Sequence, residues 1–270
     1  MAEVFIGTSG WSYPSWRGPF FPKSVPLKDH LGFYASEFNT TELNGVFYRT
    51  PTLQAVRSWR RQTPEEFVFA WKASRFITHW KQLGSSSRAS LALMESRLRV
   101  LEPKVGPILF QLPSRSVANK DKLARFIGLL KSRRRYAFEF RHPSWFEAPV
   151  LDLLRDHDIA LCLSDHRDAP TPWEVTASFV YVRGHGPKGS YKGHYSDRAM
   201  RMWARSIVKW KRGRRDVYVY FDNDQKAAAP ADAAYFYATN SDYSMTLGVR
   251  IFGEHEPPKA DIRQCKTNVC

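Results

Sequence analysis

Short hydrophobic runs alternate along this chain with longer stretches of helical periodicity. The runs predict eight strands, bounded by polar or turn residues: Val4–Thr8, Thr40–Asn44, Phe67–Lys72, Pro107–Leu112, Tyr136–Arg141, Ala160–Asp165, Phe179–Arg183 and Val217–Asp222. Strands that alternate with helices favour parallel pairing through right-handed crossovers. With 270 residues, the chain has the length of one (β/α)8 barrel of the triosephosphate isomerase (TIM) type, about 250 residues.

The helical stretches repeat apolar residues at steps of three and four. They predict helices over Leu27–Phe38, Leu53–Gln62, Ala89–Leu101, Lys120–Leu130, Pro149–Asp158 and Asp197–Trp210. The last begins with Ser196-Asp197, a typical capping pair, and places Met200, Trp203 and Ile207 on one face. No second domain or linker is visible.

The C-terminal segment does not continue this pattern. The net charge is +15 over the whole chain, but residues 235–270 contain four basic and four acidic residues and no convincing amphipathic stretch. We therefore expect a barrel over residues 1–234 and a divergent tail over 235–270 that is irregular or partly disordered. A shifted reading frame in the gene is a third explanation of the tail.

Successive strand residues face opposite sides of a sheet, and this alternation assigns side chains to the lumen. We expect the bulky aromatic residues of the third and fifth strands to pack outward and polar residues at the carboxyl ends of strands to meet at the barrel mouth. On the sixth strand Leu161, Leu163 and Asp165 are placed together, and on the eighth Val217, Val219, Phe221 and Asn223. The expected convergent set is Glu42, Asn44, Lys72, Gln111, Glu139, Arg141, Asp165, Arg183, His185 and Asn223.

Composition narrows the class of protein. The hydrophobic content of 43% and aromatic content of 14% are typical of a globular fold. Three cysteines give no disulfide framework, no apolar run reaches membrane-spanning length, and no secretory signal is visible, so we expect a cytoplasmic protein without membrane contact. Three basic clusters stand at the ends of helical patterns, where cations complement the helix dipole. They are Arg57, Arg60 and Arg61; Lys131 with Arg133 to Arg135; and Lys209, Lys211, Arg212, Arg214 and Arg215. We favour this reading over a polyanion-binding surface.

Eight ordered blocks of sequence resemble one known family. They are GTSGWSYPSWRG at 7–18, FNTTELNGVFYRTP at 38–51, FAWKASRFITH at 69–79, GPILFQLP at 106–113, EFRHPSW at 139–145, YVRGHG at 181–186, YKGHYS at 191–196 and YFDND at 220–224. Over residues 4 to 234 the chain is similar to the domain of unknown function 72 (DUF72, YecE-like) family. The resemblance implies a TIM barrel and a site but no reaction, because the family's activity is not established. The resemblance also implies an ordinary helix at the C-terminus, and the sequence pattern of this tail does not predict one.

Acid–base chemistry needs two carboxylates in unlike environments. Glu42 and Glu139 come from strands on opposite sides of the barrel, so we expect a substrate to fit between them. Asp165 and His185 complete the catalytic candidates, with His185 as a proton carrier. The alternative interpretation is a set of salt bridges that only closes the barrel mouth.

Anion binding has the stronger support. Lys72, Arg141 and Arg183 are expected beside the loop His185–Gly189, and Gly184, Gly186 and Gly189 permit close backbone approach to a phosphate. A divalent metal held by His79, His142 and His185 is not favoured, because those three cations would oppose it and no metal-binding motif is present. We therefore assign no metal ligand and leave the cofactor open.

The loops also carry aromatic residues. Trp11, Tyr48, Trp145 and Tyr191 are candidates for stacking on a base or sugar ring, with His79, Gln111, His142 and Asn223 as polar contacts. The sequence thus favours an enzyme that acts on a phosphate-bearing or nucleotide-like substrate, with hydrolysis or phosphodiester cleavage as the first reaction to test. The alternatives are a non-catalytic nucleic-acid-binding protein and a sugar isomerase or glycosidase that uses Glu42 and Glu139.

Overall fold

The computed structural model describes residues 2–246, with side chains through residue 238. Its strands are β1 Val4–Thr8, β2 Thr40–Leu43, β3 Val68–Lys72, β4 Val105–Gln111, β5 Tyr136–Glu139, β6 Ala160–Ser164, β7 Phe179–Gly184 and β8 Asp216–Phe221. All are parallel and pair in the order β1-β8-β7-β6-β5-β4-β3-β2. The predicted single barrel is confirmed, and each predicted strand lies within two residues of an observed one.

Helices cover the outside of this barrel. They are α1 His30–Glu37, α2 Gly45–Tyr48, α3 Leu53–Gln62, α4 Arg88–Leu101, α5 Lys120–Ile127, α6 Ala148–Asp156, α7 Asp197–Arg212 and α8 Ala228–Thr246. Side-chain caps from Thr52, Asn119 and Ser196 begin α3, α5 and α7. Residues 165–178 join β6 to β7 as a loop, and Trp173 in this loop stacks on Trp210 of α7. None of the helices in residues 2–246 combines the length and apolar character needed to cross a bilayer.

Helix α8 corrects the expectation of an irregular segment from residue 235, because residues 235–246 continue a helix; residues 247–270 lie outside the described part of the chain. Ala229, Ala233, Phe236 and Tyr237 are all buried. A helix that is buried on most sides has no polar face and therefore no amphipathic stripe. This is why the sequence pattern did not reveal it.

The seam between β1 and β2 differs from the other strand junctions. One backbone bridge joins Ser9, just past the end of β1, to Glu42 of β2. Below it, the Tyr34 hydroxyl accepts from the Thr8 amide at 2.8 Å and donates to the Thr40 carbonyl at 3.1 Å. A Cβ on Gly7 would lie 2.1 Å from that same carbonyl. A phenol on α1 thus closes the barrel where direct backbone pairing stops.

The lumen core shows which strand faces point inward. Phe5, Ala70, Leu109, Ala137, Cys162, Phe179, Tyr181, Tyr218 and Tyr220 pack inside the barrel. The predicted inward faces of β3, β5 and β7 are correct. Those of β6 and β8 are wrong by one residue, since Leu161, Leu163, Val217 and Val219 pack outside against the helices. Ser164 and Asp222, not Asp165 and Asn223, therefore continue the inward faces of β6 and β8.

Candidate active site at the barrel mouth

A fully buried guanidinium, that of Arg183 on β7, occupies the centre of the barrel mouth. Its Nε and Nη2 donate to both oxygens of Glu42, at 3.0 and 2.9 Å. Nη1 donates to Glu139 Oε2 at 2.7 Å, and Nη2 also donates to Asp222 Oδ2 at 2.8 Å. The second N–H of Nη1 faces His185 Nε2 at 3.0 Å. Each of the five N–H groups of this side chain faces a protein acceptor, so Arg183 is the support of the site and not the anion clamp expected from sequence.

The two glutamates meet at this one cation. Glu42 and Glu139 are both 0% exposed, and both bind Arg183. Glu42 also accepts from the Ser9 hydroxyl at 2.5 Å and the Tyr181 hydroxyl at 2.7 Å. The expected gap for a substrate between the two carboxylates is therefore wrong, because a guanidinium fills it. This geometry also removes the basis for a glycosidase that uses this pair.

Glu139 is held as a carboxylate. Burial raises its pKa, but the charges of Arg141 and Arg183 outweigh burial and hold the pKa well below its usual range. Arg141 contributes a second ion pair, with Nη2 at 3.0 Å from Glu139 Oε1. An ionised, fully paired carboxylate is a poor proton donor at neutral pH.

His185 lies beneath the mouth surface and is fully buried. Because arginine only donates, Nε2 accepts from Arg183, and Nδ1 carries the proton of the neutral ring. Nδ1 faces Ser164 Oγ at 3.3 Å and Asp165 Oδ1 at 3.4 Å. Both ring nitrogens are thus engaged by protein groups, and the ring positions Arg183 from the side opposite Glu42.

Asp165 supports the β7 loop from outside the lumen. Its Oδ1 accepts from the His185 amide at 2.7 Å, and its Oδ2 accepts a very short hydrogen bond from the Tyr195 hydroxyl. Asn223 also points away from the mouth, where its amide donates to the Gly193 carbonyl at 2.7 Å and to Asp232 at 2.8 Å. Both residues, expected to act on a substrate, instead fix loops behind the site.

Asp222 was missed by the sequence reading. It is 6% exposed, its pKa is lowered because the charges of Arg183 and Lys72 outweigh the effect of burial, and it completes the carboxylates around Arg183. Its neighbour Asn223 was chosen because the aliphatic face of β8 was taken as inward. The signal that could have found Asp222 is the pair Tyr218 and Tyr220, whose hydroxyls need polar partners inside the barrel.

The glycines after β7 fit tightly against the protein itself. A Cβ on Gly189, whose φ is +61°, would lie 2.3 Å from the Asp165 carbonyl and 2.4 Å from the Arg167 amide. A Cβ on Gly186 would lie 2.5 Å from the Lys192 carbonyl. These glycines let two loops of the protein pack together. The sequence prediction that they form a phosphate-binding turn is therefore not supported.

Lys72 ends β3 inside the mouth and is 5% exposed. Its Nζ donates to Asn44 Oδ1 at 3.1 Å and lies 4.5 Å from the centre of the Phe47 ring. No carboxylate in the described part of the chain lies within ion-pair distance of it. Burial, together with the nearby positive charge of Arg183, lowers the pKa of Lys72 to about 8.

Arg141 forms the second cation of the mouth, and its side chain is 14% exposed. Its guanidinium lies 5.9 Å from the ring centre of Tyr191, and this ring contacts His166 and His185 edge-on. Gln111 pairs in register with Glu139 on the neighbouring strand, so its amide also faces the mouth. The structure thus brings Lys72, Gln111, Arg141 and Tyr191 to the surface of one mouth.

Cations lie near two histidines at the rim of the mouth. The pKa of His79 is lowered to about 4 by partial burial and by Lys72, Arg141, Arg115 and Arg75. The pKa of His166 is lowered to about 4 by burial and by Arg141. Both histidines are therefore neutral at physiological pH, mainly because burial disfavours the charged ring and in part because cations lie nearby.

An aromatic cavity of about 420 Å³ adjoins the mouth between the loops after β1 and β2. Trp11 packs edge-on against Trp59 in its wall, and Tyr13 and Tyr48 also line it. Asn44 separates this cavity from the charged mouth, because its Oδ1 binds Lys72 and its Nδ2 donates to the Tyr13 hydroxyl at 3.4 Å. The predicted ring-binding residues Trp11 and Tyr48 thus lie next to the cations.

Two other predicted contacts lie elsewhere. Trp145 is buried in the outer core, where it stacks on Phe140 at 4.5 Å and donates to the Ser116 carbonyl at 2.6 Å. His142 caps the short turn Pro143–Phe146, with Nδ1 2.8 Å from Ser144 Oγ. Their local roles remove both from the set that faces a substrate.

Ligation of a metal would need clustered donors. Within residues 2–246, no three His, Cys, Asp or Glu side chains have an arrangement suited to a metal ion. The carboxylates of the mouth converge on Arg183.

The basic residues at the opposite face have two kinds of surroundings. Arg60 and Arg61 lie in the last turn of α3, and Lys209, Lys211 and Arg212 lie in the last turn of α7, where the sequence interpretation expects cations. Arg133 and Arg134 instead form ion pairs with Glu95 of α4, at 2.9 Å each. Lys104 donates to the carbonyls of Arg60 and Thr63, at 2.8 and 2.6 Å, and so caps the C-terminus of α3.

Comparisons with known proteins agree with the fold. A family model described as "Protein of unknown function DUF72" matches residues 5–248. The UPF0759 protein YecE of Escherichia coli K12 is 30% identical over 53% of this chain and 50% of its own, so this match spans about half the length of that relative. The UPF0759 protein YunF of Bacillus subtilis is 25% identical over 82% of this chain and 89% of its own.

Solved structures give the same result. The crystal structure of a DUF72 family protein from Thermotoga maritima has a TM-score of 0.77 and 26% identity, and covers 88% of this chain and 98% of its own. The crystal structure of a DUF72 family protein from Enterococcus faecalis has a TM-score of 0.76 and 19% identity, and the match covers 88% of this chain and 95% of that protein. The matched residues 5–248 include the barrel, Arg183 with its three carboxylates, and α8. The chain therefore belongs to the DUF72 family.

Proposed function

We propose that this protein is an enzyme that acts on a phosphate-bearing, nucleotide-like substrate at the barrel mouth. The anionic group binds Lys72 and Arg141, and the ring enters the aromatic cavity beside them. The observation that supports the proposal is that the cations of the mouth differ in how many ion pairs they form. Arg183 engages Glu42, Glu139 and Asp222, whereas Lys72 has no ion pair among the described residues.

Phosphate suits the remaining cations. An arginine guanidinium offers a planar fork that matches phosphate oxygens, and a lysine ammonium adds a point charge. Arg141 uses Nε and Nη2 on Glu139, which leaves Nη1 for a ligand. Burial is the main cause of the lowered pKa of His79 and His166, and nearby cations, Arg141 among them, add to it.

The cavity suits the other half of such a substrate. At about 420 Å³ it lies within the range of small-molecule pockets, roughly 300–1,000 Å³. Trp11, Trp59 and Tyr13 offer ring faces and edges for a base. Asn44, at the boundary, has the donors and acceptors to contact a ribose or the ester oxygen.

Hydrolysis of a phosphoester is the reaction to test first. Asp222 is the carboxylate we assign to activate water, since it keeps 6% exposure while Glu42 and Glu139 have none. Its lowered pKa keeps it ionised at neutral pH. In this assignment Glu42, Glu139 and His185 position Arg183 and do not transfer protons.

Calorimetry with adenosine monophosphate and adenosine tests the binding half of the proposal. We expect the phosphorylated compound to bind more tightly, and Arg141→Gln and Lys72→Met each to weaken its binding about 10- to 100-fold, the value of one charge-assisted hydrogen bond. Lys104→Arg, at the opposite end of the barrel, is the matched control. Equal affinity for the two compounds would contradict the proposal.

The catalytic half needs a turnover assay. A dinucleotide and a nitrophenyl phosphodiester serve as substrates, with product release followed by chromatography and absorbance. We expect Asp222→Asn to lose turnover and to retain ligand binding. If the protein binds adenosine monophosphate but turns over neither phosphoester, the proposed enzymatic activity is refuted and only the binding half of the proposal stands.

A second candidate, a non-catalytic protein that binds single-stranded nucleic acid, is favoured by one surface. We define the rim patch as Tyr48, Arg75, Phe76, Trp80 and Lys81. Tyr48 is 62% exposed and Trp80 64%, and the Arg75 guanidinium lies 5.5 and 5.6 Å from their ring centres. Lys81 lies 4.9 Å from the ring centre of Phe76. Alternating rings and cations are typical of single-strand binding.

Titration of a labelled single-stranded oligonucleotide tests this candidate. We expect a steep dependence of affinity on salt, and a loss of about 1–3 kcal/mol for Tyr48→Ala with Trp80→Ala, the value of base stacking. Trp173→Ala is the control, because Trp173 is also exposed, 46%, but lies on the loop over α7. An equal effect of the control would exclude the rim patch as the binding surface.

A further inference from the structure

Two buried lysines show how unusual Lys72 is. Lys104, 7% exposed, donates three hydrogen bonds: to the Arg60 carbonyl, the Thr63 carbonyl and the Thr63 hydroxyl. Lys72, 5% exposed, donates one, to Asn44. Its remaining donor positions have no hydrogen-bond acceptor among residues 2–246, and a ring face lies against the amine. A buried, under-bonded amine at a strand end is placed to react.

Burial is the main reason that the amine is poorly stabilised as a cation. Arg183 adds to this effect, because its positive charge repels an ammonium. The carboxylates of Glu42, Glu139 and Asp222 attract it, but all three bind Arg183. Burial and Arg183 together bring the pKa of Lys72 to about 8, so a sizeable share of the amine is unprotonated at mildly alkaline pH.

We propose that Lys72 is a carbonyl-reactive amine that forms an imine with an aldehyde or ketone carried by a small anionic ligand. In the first step the Nζ lone pair forms a C–N bond to the carbonyl carbon, and a proton moves from nitrogen to the carbonyl oxygen. In the second step the nitrogen lone pair forms the C=N bond, the C–O bond breaks, and the oxygen takes the remaining proton of the nitrogen and leaves as water. The step consumes one carbonyl compound and releases one water, and it needs no oxidant.

The surroundings supply what this step requires. Asn44 Oδ1 orients the amine, and the Phe47 ring excludes water from one side of it. Arg141 and Gln111 face the same mouth and suit a carboxylate or phosphate group on the carbonyl compound. The inference goes beyond phosphoester hydrolysis and does not depend on it, because imine formation is observed directly as a covalent adduct.

Reductive trapping tests the inference. The wild-type chain is incubated at pH 8 with glycolaldehyde phosphate and sodium cyanoborohydride, which reduces imines to stable secondary amines. Peptide mass spectrometry then locates the adducts over time. We expect Lys72 to be labelled at least about tenfold faster than exposed lysines such as Lys188 and Lys192, because a larger fraction of its amine is neutral. Uncharged glycolaldehyde in a parallel reaction measures the contribution of the anionic group.

Variants and pH give independent readouts. Lys72→Arg keeps the positive charge and removes the amine, so its adduct disappears, whereas Lys104→Arg leaves labelling of Lys72 unchanged. The labelling rate of Lys72 should rise to a plateau above pH 8, while that of Lys188 continues to rise. Labelling of Lys72 no faster than that of Lys188 and Lys192 in the folded wild-type chain overturns the inference. It leaves the phosphate-binding proposal to be judged by its own calorimetry.

Discussion

The two ends of this barrel use buried cations in opposite ways. At the N-terminal end of the strands, Lys104 donates every hydrogen bond it has to the end of α3. At the C-terminal end, Arg183 is equally satisfied, but Lys72 beside it is not. A buried polar group without full partners costs free energy. Such a group in the mouth, beside a cavity, is therefore where we expect a ligand to bind.

The mouth itself also has two layers. Its lower layer is the closed network of Arg183 with Glu42, Glu139 and Asp222, which resembles a packed core in its completeness. Its upper layer holds Lys72 and Arg141, with donors to spare. In the proposed function the lower layer fixes the geometry and supplies Asp222, and the upper layer supplies the cations that bind the ligand.

Replacement of the lower layer's cation should have the largest effect. Arg183→Met leaves three buried carboxylates without their shared partner, and we expect a loss of about 3–5 kcal/mol in the free energy of unfolding at pH 7. Urea denaturation measures it. Arg135→Met at the other end is the control, since Arg135 is 44% exposed in its pair with Asp216 and should cost no more than about 1 kcal/mol.

The effect of Arg183→Met should also depend on pH. The pKa values of Glu139 and Asp222 are lowered in the folded protein, so their contribution to stability is present above the unfolded-state values and is lost as the pH falls through the folded-state values. The gap between wild type and variant should therefore narrow below about pH 4. A gap that stays constant from pH 7 downward would contradict this account of the network.

Lys104→Met should have an intermediate effect. The substitution leaves the carbonyls of Arg60 and Thr63 without their donor, and we expect a loss of about 1–3 kcal/mol in the free energy of unfolding. Binding at the mouth should not change. Thermal denaturation and calorimetry with adenosine monophosphate check the two halves. A loss of ligand affinity would mean that the two ends of the barrel are not independent.

Lys72→Met should change stability least at pH 7, because it removes a poorly bonded charge from a buried position. The sign of its pH dependence is the sharper test. The pKa of Lys72 falls from 10.5 to about 8 on folding, so the unfolded chain binds more protons between these values. Wild type should therefore gain stability relative to Lys72→Met as the pH rises from about 8 to 10. A flat difference over that range would show that Lys72 is not desolvated.

Sequence reasoning located the barrel and most of the mouth for physical reasons. On β3, β5 and β7 a polar residue at the carboxyl end follows an apolar residue that faces the other side of the sheet. The alternation of faces along the strand therefore places Lys72, Glu139 and Arg183 inward. On β6 both faces are buried, and Leu161-Cys162-Leu163 has no alternation to read. On β8 the tyrosines point inward, where the Tyr220 hydroxyl lies 2.8 Å from the Thr40 hydroxyl, whereas the sequence interpretation placed Val217 and Val219 inward.

The sequence pattern does not show which side chains of the mouth pair with one another. Alternation shows that Glu42, Glu139 and Arg183 face one space, but it gives no distances, so an open gap between the two glutamates and a filled one look alike. The distances of 2.7 to 3.0 Å to Arg183 separate these cases. The same limit hid the incomplete bonding of Lys72, because residue types do not show how many donors find acceptors.

The central network also has a consequence for the chain as it is synthesised. Arg183 takes its carboxylates from residues 42, 139 and 222, and so from the early, middle and late parts of the sequence. A nascent polypeptide that has emerged only to residue 200 exposes this guanidinium with its third counter-ion still inside the ribosome. Completion of the lumen must therefore wait until the last strand has left the exit tunnel.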